Sequence, residues 1–487
     1  METNPLTLPY PWWYEIYERI KLAPWWITYK LGISKQARLQ DKIVNLAFEL
    51  GLQDIWVRNV INFAITEFSK KGLGIDYYGY HNIDHELEAT YFTLLIAKGL
   101  NYKLTIKDIY YLFLASLFHD FDPLKDFDRP NESAVEYFLR SNKSIKRFIE
   151  YVGLNINILI AMIYRTAYPF TGKIMEDAMK RINELFDMAG LNDDERAHYL
   201  MLGWLVSLAE RIAGYALRDE SGAMELAIKN AHALGWHPVV INRESIRYFN
   251  SMFENEREML ELVLSAVDGE YRNRLLRNIE YFKNSYNKEL EVKEMIRQGL
   301  IKLNVNVEHE YSDNCINCLL RLHKLLPLPL RMKDDEFIDK LKYNDILLIT
   351  LRVNGPNSNN NEIVGYCRGG ALERYRLRRG THDENKGKKN TIYLEPISID
   401  YPYWGVNGGH LLRYSFILEA KRRGYRYLTA YAHRSVIEER IARGEPIEIA
   451  CKYNPDRYDY YRYDLTKVDE LDIKHKIEIV LKTSNYT

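Results

Sequence analysis

The sequence predicts a multi-domain protein in which an all-α helical bundle is followed by an α+β domain with a central mixed sheet. From residue 15 to about residue 301, apolar residues recur at three- and four-residue spacing, and alternation of β-branched residues is scarce. Beyond residue 301, short β-branched and aromatic runs alternate with helical stretches. The chain has 487 residues, which is too long for one ordinary core.

The change in pattern near residue 301 sets the predicted domain boundaries. An N-terminal helical extension covers 1–74, a helical domain 75–260, a charged helical connector 261–300, and the α+β domain 301–482. The extension carries an aromatic cluster between Tyr10 and Trp26, which we expect to pack on the helical domain because aromatic side chains bury large areas.

Individual elements follow from the same periodicities. The clearest helices of the N-terminal part are predicted at 42–50, 55–68, 106–118 and 199–217. In the C-terminal part, strands are predicted at 345–353, 362–368, 391–399 and 426–432 with a Tyr-rich pair at 448–464, and helices at 313–325, 334–341 and 409–423. The helix at 313–325 contains Cys315 and Cys318, which we interpret as small apolar residues rather than zinc ligands. Two Gly- and Asn-rich stretches, 355–361 and 380–389, are predicted to be mobile surface loops.

Composition excludes several functional classes. The 67 Lys and Arg residues equal the 67 Asp and Glu residues, so no global attraction to nucleic acid is expected. Four cysteines cannot form a disulfide framework in a chain of this size, which indicates a reducing, cytoplasmic location. The most apolar runs are shorter than the roughly 20 residues of a membrane span. A homo-oligomer is compatible with these properties.

A group of histidines and acidic residues in the helical part has the spacing of metal ligands. His81 and His85 are four residues apart and would share a helix face, while His119 and Asp120 end an apolar helix. Imidazole and carboxylate ligands suit a divalent transition metal such as Zn, Mn, Fe or Ni. Such a metal would activate water and polarise a phosphoryl oxygen.

These motifs, YHNIDH at 80–85 and FHDFD at 118–122, resemble the HD-domain superfamily of metal-dependent phosphohydrolases. Their spacing is especially similar to that of cyclic-nucleotide phosphodiesterases. The resemblance implies an HD-type bundle, His81 as the general acid that protonates the leaving oxygen, and His85, His119 and Asp120 as metal ligands. Glu210, in the stretch LVSLAE, stands where the family has its last metal-binding Asp.

The sequence departs from the phosphodiesterase pattern in two further places. Pro123 stands where the family has a histidine for a second metal, so only Asp122, Asp126 or Asp128 could contribute to one. No glutamine aligns with the family's purine clamp. The expected substrate is therefore a small phosphate ester or nucleotide, and a structural metal or a non-catalytic binding module remains an alternative.

A second motif, YLEPISIDYPYWGVNGGHLL at 393–412, lies in the α+β part. A strand ends in a glycine-rich loop, and the loop opens a helix. Such a turn leaves backbone N–H groups unpaired at a helix N-terminus, which is a ready site for a pyrophosphate.

This motif and the strand order around it resemble the GNAT superfamily of acyl-CoA-dependent N-acyltransferases. The resemblance implies that acetyl-CoA or another acyl-CoA acylates an amine acceptor, with Glu395 as the general base. The residues implied to bind the cofactor's pantetheine are Ile397, Ser398 and Ile399, and those implied to bind its pyrophosphate are Gly405, Val406, Asn407, Gly408, Gly409 and His410. A strand-end salt bridge is the alternative role for Glu395.

Two departures concern the loop and the proton donor. Trp404 replaces the family's Arg or Gln, and Asn407 replaces its first glycine. The helix after Ala432 lacks the family's Tyr that protonates the thiolate, which leaves Tyr431 and His433 as weak candidates.

Together the two resemblances predict a bifunctional or sensor–effector enzyme. The alternatives are an acetyltransferase regulated by a non-catalytic HD module that binds a nucleotide or metal, and a scaffold without chemistry.

Overall fold

A computed structural model describes residues 34–71, 73, 79–122, 131–234, 238–309, 312–326, 330–341, 343, 345–355, 361–454 and 457–483. The chain forms two compact units, one made of Met1–His237 with Glu244–Tyr281 and the other of Pro238–Arg243 with Phe282–Thr487. The predicted N-terminal aromatic cluster lies outside the described residues, as do Pro123, Asp126 and Asp128.

The first unit is helical throughout its described residues. Its helices are α1 (Ser34–Glu49), α2 (Asp54–Lys70), α3 (Ile83–Gly99), α4 (Ile106–Phe118), α5 (Glu132–Ser141), α6 (Lys143–Tyr151), α7 (Ile156–Tyr164), α8 (Gly172–Ala189), α9 (Asp193–Leu217), α10 (Glu220–Leu234), most of α11 (Ile241–Asn255), α12 (Arg257–Ala266) and the start of α13 (Gly269–Arg297). Helix α3 packs against both α9 and α4, and these three helices form the centre of the unit.

Capping residues fix where the central helices begin. Thr105 and Asp108 form a reciprocal capping box at the start of α4, and Asn192 and Glu195 form another at the start of α9. Such caps satisfy N–H groups that the first turn leaves unpaired. Among the described residues, helix α9 has the length and hydropathy of a membrane span, but 78% of its apolar window is buried inside the protein, as in the central helix of a core.

The second unit contains a mixed sheet. Its strands are β1 (Lys302–Glu308), β2 (Leu347–Asn354), β3 (Glu362–Ala371), β4 (Thr391–Leu394), β5 (Ser398–Ile399), β6 (Tyr427–His433), β7 (Ile447–Cys451) and β8 (Tyr458–Asp464). They are ordered β1-β2-β3-β4-β6-β8-β7, with β5 also paired to β3. The pair β4–β6 is parallel and the other pairs are antiparallel.

Helices complete this second unit. They are α14 (Asp313–His323), α15 (Asp334–Leu341), α16 (Gly408–Arg422), α17 (Arg434–Ala442) and α18 (Glu470–Thr483). Helix α16 packs on β2 and β3 and against α18, and the core between them includes Leu351, Leu412 and Phe416. The predicted order of a helical region followed by a mixed sheet is confirmed, whereas the HD-type identity of the bundle stays a prediction.

Three details differ from the expected elements. The predicted strand at 391–399 is divided into β4 and β5, because Pro396 has no N–H to donate to a ladder. The edge strand β1 was not among the predicted strands. The stretch 380–389 is not a free surface loop: Asp383 and Asn385 are buried, and Asp383 accepts a 2.7 Å hydrogen bond from the Tyr460 hydroxyl.

Candidate functional sites

The histidine and acidic motifs of the helical unit are placed by the ends of two helices. Asn82 caps α3, and its side chain accepts a 3.1 Å hydrogen bond from the backbone N–H of His85, so His85 lies in the first turn. His119 is the C-terminal cap of α4. Glu210 lies within α9, which packs on both helices. The cap therefore explains the Asn of the motif: it fixes His85 relative to the helix axis.

All five predicted side chains of this site converge. One carboxylate oxygen, Asp120 Oδ2, lies 3.5 Å from His81 Nε2, 3.5 Å from His85 Nε2 and 3.2 Å from His119 Nε2. The Nε2 atoms of His85 and His119 are 3.1 Å apart, and Glu210 Oε2 is 3.8 Å from His85 Nε2. The sequence motifs thus come together although they belong to three helices.

The donor set fits a divalent transition metal. His85, His119 and Glu210 each offer one ligand atom, and these atoms lie within 4.8 Å of one another. Two imidazole nitrogens with carboxylate oxygens are the ligands that Zn, Mn, Fe or Ni prefers. His81 is the most exposed of the three histidines, with 14% of its side chain accessible compared with 5% for His85. His81 is thus the imidazole best placed to face a ligand.

Burial sets the protonation of this cluster. Burial lowers the pKa of His85 to about 4, so its imidazole is neutral near pH 7, as a metal ligand must be. Burial raises the pKa of Glu210 to about 8. Burial would also lower the pKa of His119, but the carboxylates of Asp120 and Glu86 hold it well above its usual value. The carboxylates of Asp120 and Glu86 therefore favour a positive charge at His119, which either a proton on its ring or a metal ion bound there would supply.

Sequence reasoning missed one residue of this site, Glu86. Its carboxylate is fully buried, and Oε2 lies 3.1 Å from Nδ1 of His119, which also lies 2.8 Å from the carbonyl oxygen of Ser116. A carboxylate behind a metal-binding histidine orients the ring and raises its basicity. The only sequence signal was an acidic residue directly after His85, on a helix whose other faces are largely buried.

We expect Glu86→Gln to weaken metal binding by about 10- to 100-fold, because the amide no longer stabilises the oriented ring. The measurement is competition for Zn²⁺ or Mn²⁺ against a chromophoric chelator. Glu49→Gln, at an exposed position that pairs with Lys98, is the matched control. Equal metal affinity in both variants would contradict the role assigned to Glu86.

A second metal stays a prediction. Asp122 is buried near the cluster, and its backbone N–H donates to the carbonyl oxygen of Asp120 at 2.7 Å. The other candidates, Asp126 and Asp128, are outside the described residues.

In the sheet unit, the parallel strands β4 and β6 separate next to the residues that were predicted to bind a cofactor. Strands β4 and β6 pair only from Thr391 opposite Tyr427 to Tyr393 opposite Thr429. Beyond that point β6 continues to pair with β8 as far as His433, whereas β5 pairs with β3. The segment with Ile397, Ser398 and Ile399 therefore has no strand partner on its β6 side among the described residues. An extended ligand could pair with this side of the segment, although the carbonyl oxygen of Ile399 already accepts a 2.9 Å hydrogen bond from Trp404 Nε1.

The glycine-rich loop follows directly and begins α16. Gly405 has φ of +80°, and Asn407, the cap of α16, adopts the left-handed conformation with φ of +64°. Asn is one of the few non-glycine residues that tolerate this conformation, which explains how it replaces a glycine. The backbone N–H of His410 donates to the carbonyl oxygen of Asn407 at 3.0 Å, so the first-turn N–H groups left for a ligand at the start of α16 are those of Gly408 and Gly409.

The glycines of the loop differ in how much room each has for a side chain. A Cβ at Gly408 would lie 2.6 Å from Leu351 Cδ2, so this part of the loop packs on the sheet. A Cβ at Gly405 would lie 2.7 Å from Val239 Cγ1, so Val239 covers that glycine. At Gly409, a Cβ would meet Ile399 Cδ1 at an ordinary 3.6 Å and no other described atom within 4 Å. The open end of the loop is therefore at Gly409, where the helix amides begin.

Glu395 is part of a buried ion pair. Its Oε2 accepts a 2.5 Å hydrogen bond from Nε of Arg368, and its Oε1 accepts a 2.8 Å hydrogen bond from the Tyr375 hydroxyl. Arg368 is fully buried, and its guanidinium lies 3.7 Å from the centroid of the Phe337 ring. Both carboxylate oxygens are occupied, so the geometry favours the salt-bridge alternative over a general base.

The two weak candidates for proton donor also have partners. The Tyr431 hydroxyl accepts from the backbone N–H of Arg378 and lies 3.0 Å from Thr381 Oγ1. His433 Nδ1 lies 2.8 Å from Ser435 Oγ.

Comparisons with known proteins concern the sheet unit. No protein-family model and no curated protein matches the chain. Among solved structures, the ribosomal-protein-S18-alanine N-acetyltransferase from Escherichia coli is 13% identical over 34% of this chain and 97% of its own, with a TM-score of 0.24. An N-acetyltransferase from Staphylococcus aureus Mu50 is 18% identical over 33% of this chain and 99% of its own, with a TM-score of 0.23. At such low sequence identities and TM-scores, the candidate site of the sheet unit is argued only from the separation of β4 and β6 and from the geometry of the glycine-rich loop.

Proposed function

We propose that the sheet unit is an acyl-CoA-dependent N-acyltransferase that uses acetyl-CoA or a related thioester. The observation that carries the proposal is the parting of the parallel strands β4 and β6 directly before a glycine-rich loop that starts α16. The amides at the start of α16 would bind the pyrophosphate. The main chain of Ile397, Ser398 and Ile399 would pair with the pantetheine arm.

The proposed reaction is attack of a substrate amine on the thioester carbonyl. A bond forms between the amine nitrogen and the acyl carbon, the bond between that carbon and sulfur breaks, and the amine loses a proton while the thiolate gains one. Backbone N–H groups near the parted strands would stabilise the developing oxyanion. Glu395 would contribute by holding the junction of β4 and β5 through Arg368, rather than by taking the proton itself.

We expect Gly409→Asp to bind coenzyme A at least about tenfold more weakly than the wild type, because a carboxylate beside the amides repels the pyrophosphate. Folding should be retained, since a Cβ at Gly409 has room and an acidic residue in the first turn of a helix is favourable. Isothermal titration with coenzyme A measures the affinity, and thermal unfolding checks the fold.

Gly409→Asn is the matched control, since it has the same shape without the charge. If Gly409→Asp bound coenzyme A as tightly as Gly409→Asn and the wild type, the pyrophosphate would not lie at this loop. If the wild type showed no binding and no thermal shift with any acyl-CoA, the acyltransferase proposal would fail.

A second function is supported by the cluster in the helical unit. Asp120 Oδ2 lies within 3.5 Å of three imidazoles, so the geometry favours a metal-dependent phosphohydrolase centre held by His85, His119, Asp120 and Glu210. A metal bound there would supply Lewis-acid polarisation of a phosphoryl oxygen. His81 would donate a proton to the leaving oxygen, and Glu86 would orient His119.

Consumption of the phosphate compound distinguishes a catalytic phosphohydrolase from a non-catalytic sensor. A hydrolase releases phosphate from a phosphate ester or nucleotide in a metal-dependent way. A sensor instead changes the rate of acyl transfer when a nucleotide binds, and the nucleotide is recovered unchanged. Measuring phosphate release and acetyl transfer in the same sample, with and without nucleotide, distinguishes the two.

A further inference from the structure

Three arginines of the sheet unit lie near the start of α16, where the pyrophosphate site is proposed. Arg413 is on α16 itself, three residues after His410, so the two side chains share a helix face. Arg440 is in the last turn of α17, and Arg443 is the C-terminal cap of that helix. None of the three takes part in the proposed acyl transfer.

An ion pair holds the end of α17 against α16. Nη1 of Arg413 donates to Oε1 of Glu445 at 3.1 Å, and Nη2 donates to the other carboxylate oxygen, so the pair is bidentate. Both side chains are buried. The backbone N–H of Glu445 in turn donates to the carbonyl oxygen of Arg440 at 3.2 Å. This chain of contacts connects the last turn of α17 to the first turns of α16.

The pKa of His410 indicates that all three cations are close to the start of α16. Burial lowers this pKa from its ordinary value, and the charges of Arg413, Arg443 and Arg440 lower it further. Glu445 has the opposite effect, but its carboxylate already pairs with Arg413. Since His410 is in the first turn of α16, the electrostatic potential is positive beside the amides that are available to a ligand.

The two arginines of α17 can bind a ligand because solvent reaches both of them. The side chain of Arg443 is 56% exposed, and it pairs at 3.1 Å with Glu439, which is exposed to the same degree. An exposed pair contributes little free energy, so an anion could replace Glu439. Arg440 is partly exposed, and its Nη1 donates a 2.9 Å hydrogen bond to the Tyr461 hydroxyl. This bond orients the Arg440 guanidinium without neutralising its charge.

We propose that Arg440 and Arg443 bind the 3′-phosphate of coenzyme A, beside the pyrophosphate at the start of α16. The inference rests on the proposed acyltransferase function and narrows the acyl donor to thioesters of coenzyme A itself, as opposed to those of dephospho-coenzyme A. The loop 401–409 contains no Lys or Arg, so a cation for the ligand has to come from another element. Arginine suits this role because its planar fork matches phosphate oxygens.

The test measures a ligand preference on the full chain, because the end of a helix also favours arginine through the helix dipole. The probes are coenzyme A and dephospho-coenzyme A, which lacks only the 3′-phosphate. We expect isothermal titration calorimetry to show that the wild type binds coenzyme A at least about tenfold more tightly than dephospho-coenzyme A. Added salt should reduce this preference, because it screens exposed charges.

The substitution Arg443→Met should reduce the preference for coenzyme A, and the double substitution of Arg443→Met with Arg440→Met should abolish it. The affinity for dephospho-coenzyme A should stay the same in both variants. Arg423→Met is the matched control: Arg423 caps the opposite end of α16 and pairs with Glu419 four residues earlier, as Arg443 pairs with Glu439. This control changes the net charge equally and should keep the tenfold preference.

The outcomes separate this inference from the proposed function. A wild type that binds neither compound would refute the acyltransferase proposal. If the wild type binds both compounds equally, or if the double variant keeps the preference, the assignment of Arg440 and Arg443 fails while the acyltransferase proposal stands. A double variant that loses affinity for both compounds equally also overturns the 3′-phosphate assignment. If the double variant does not fold, the exposed Arg443→Met decides alone, and an unchanged preference overturns the assignment.

Discussion

We expect His119→Ala to lose metal binding and every metal-dependent reaction of the helical unit. His119 Nε2 lies 3.1 Å from His85 Nε2 and 3.2 Å from Asp120 Oδ2, so its removal opens the cluster at its centre. Loss of a residue that hydrogen-bonds to a metal ligand typically lowers the metal affinity about 10- to 100-fold. Loss of the ligand itself should therefore lower it at least about 100-fold. Metal analysis after dialysis measures this directly.

A stability measurement gives an independent readout. A ligand that binds the folded state stabilises it by about 4 kcal/mol at a thousand times its dissociation constant. Added Mn²⁺ or Zn²⁺ should therefore raise the melting temperature of the wild type and leave that of His119→Ala nearly unchanged. Any metal-dependent release of phosphate should fall in parallel with metal content.

His198→Ala is the matched control for this experiment. His198 is on α9 and pairs with Asp108 at 2.9 Å, and about a third of its side chain is exposed, at 35%. This variant should keep its metal and its thermal response. A wild-type protein that holds no metal, or a His119→Ala protein that holds as much as the wild type, would refute the metal centre.

The second large effect is expected for Glu395→Gln in the sheet unit. Arg368 is fully buried and pairs with Glu395 at 2.5 Å, so the substitution leaves its charge without a counter-ion. Breaking a buried pair from one side costs about 3–5 kcal/mol of unfolding free energy. Urea unfolding, followed by a signal from the sheet unit, measures the loss.

Two variants show whether the loss comes from the unpaired charge. Glu439→Gln removes one partner of an exposed pair with Arg443 and should cost less than about 1 kcal/mol. The double substitution Arg368→Met with Glu395→Leu removes both charges and should recover much of the stability, since buried pairs replaced by apolar groups are often no less stable. If Glu395→Gln kept full stability but lost acyl transfer, Glu395 would be a general base after all.

The candidate site of each unit could be predicted in part from residues that are neighbours in the chain. In the helical unit, the expectation that His81 and His85 share a helix face is wrong, because Asn82 caps α3 and His81 therefore precedes the helix. Both imidazoles nevertheless lie 3.5 Å from Asp120 Oδ2, since the two residues flank the same cap. In the sheet unit, the loop from Gly405 to Gly409 was predictable because left-handed backbone and a helix start depend on a few neighbouring residues.

Partners across elements could not be predicted from local patterns. Glu86 is next to His85 in the chain but contacts His119 on another helix, and Arg368 on β3 meets Glu395 after β4. The stretch 380–389 has the composition of a mobile loop, yet Tyr460 of β8 binds Asp383 and helps to hold it. Each of these contacts depends on which elements are neighbours, and composition contains no information about that.

The sequence by itself determined the helical and mixed-sheet regions, the capped histidine motif and the glycine-rich loop, because each depends on interactions within about one helical turn or one strand end. Only the tertiary structure decided that Asp120 meets three imidazoles and that Glu395 is held by Arg368. The physical reason is that charge pairing and burial are set by helix packing and strand order, which bring together residues far apart in the chain.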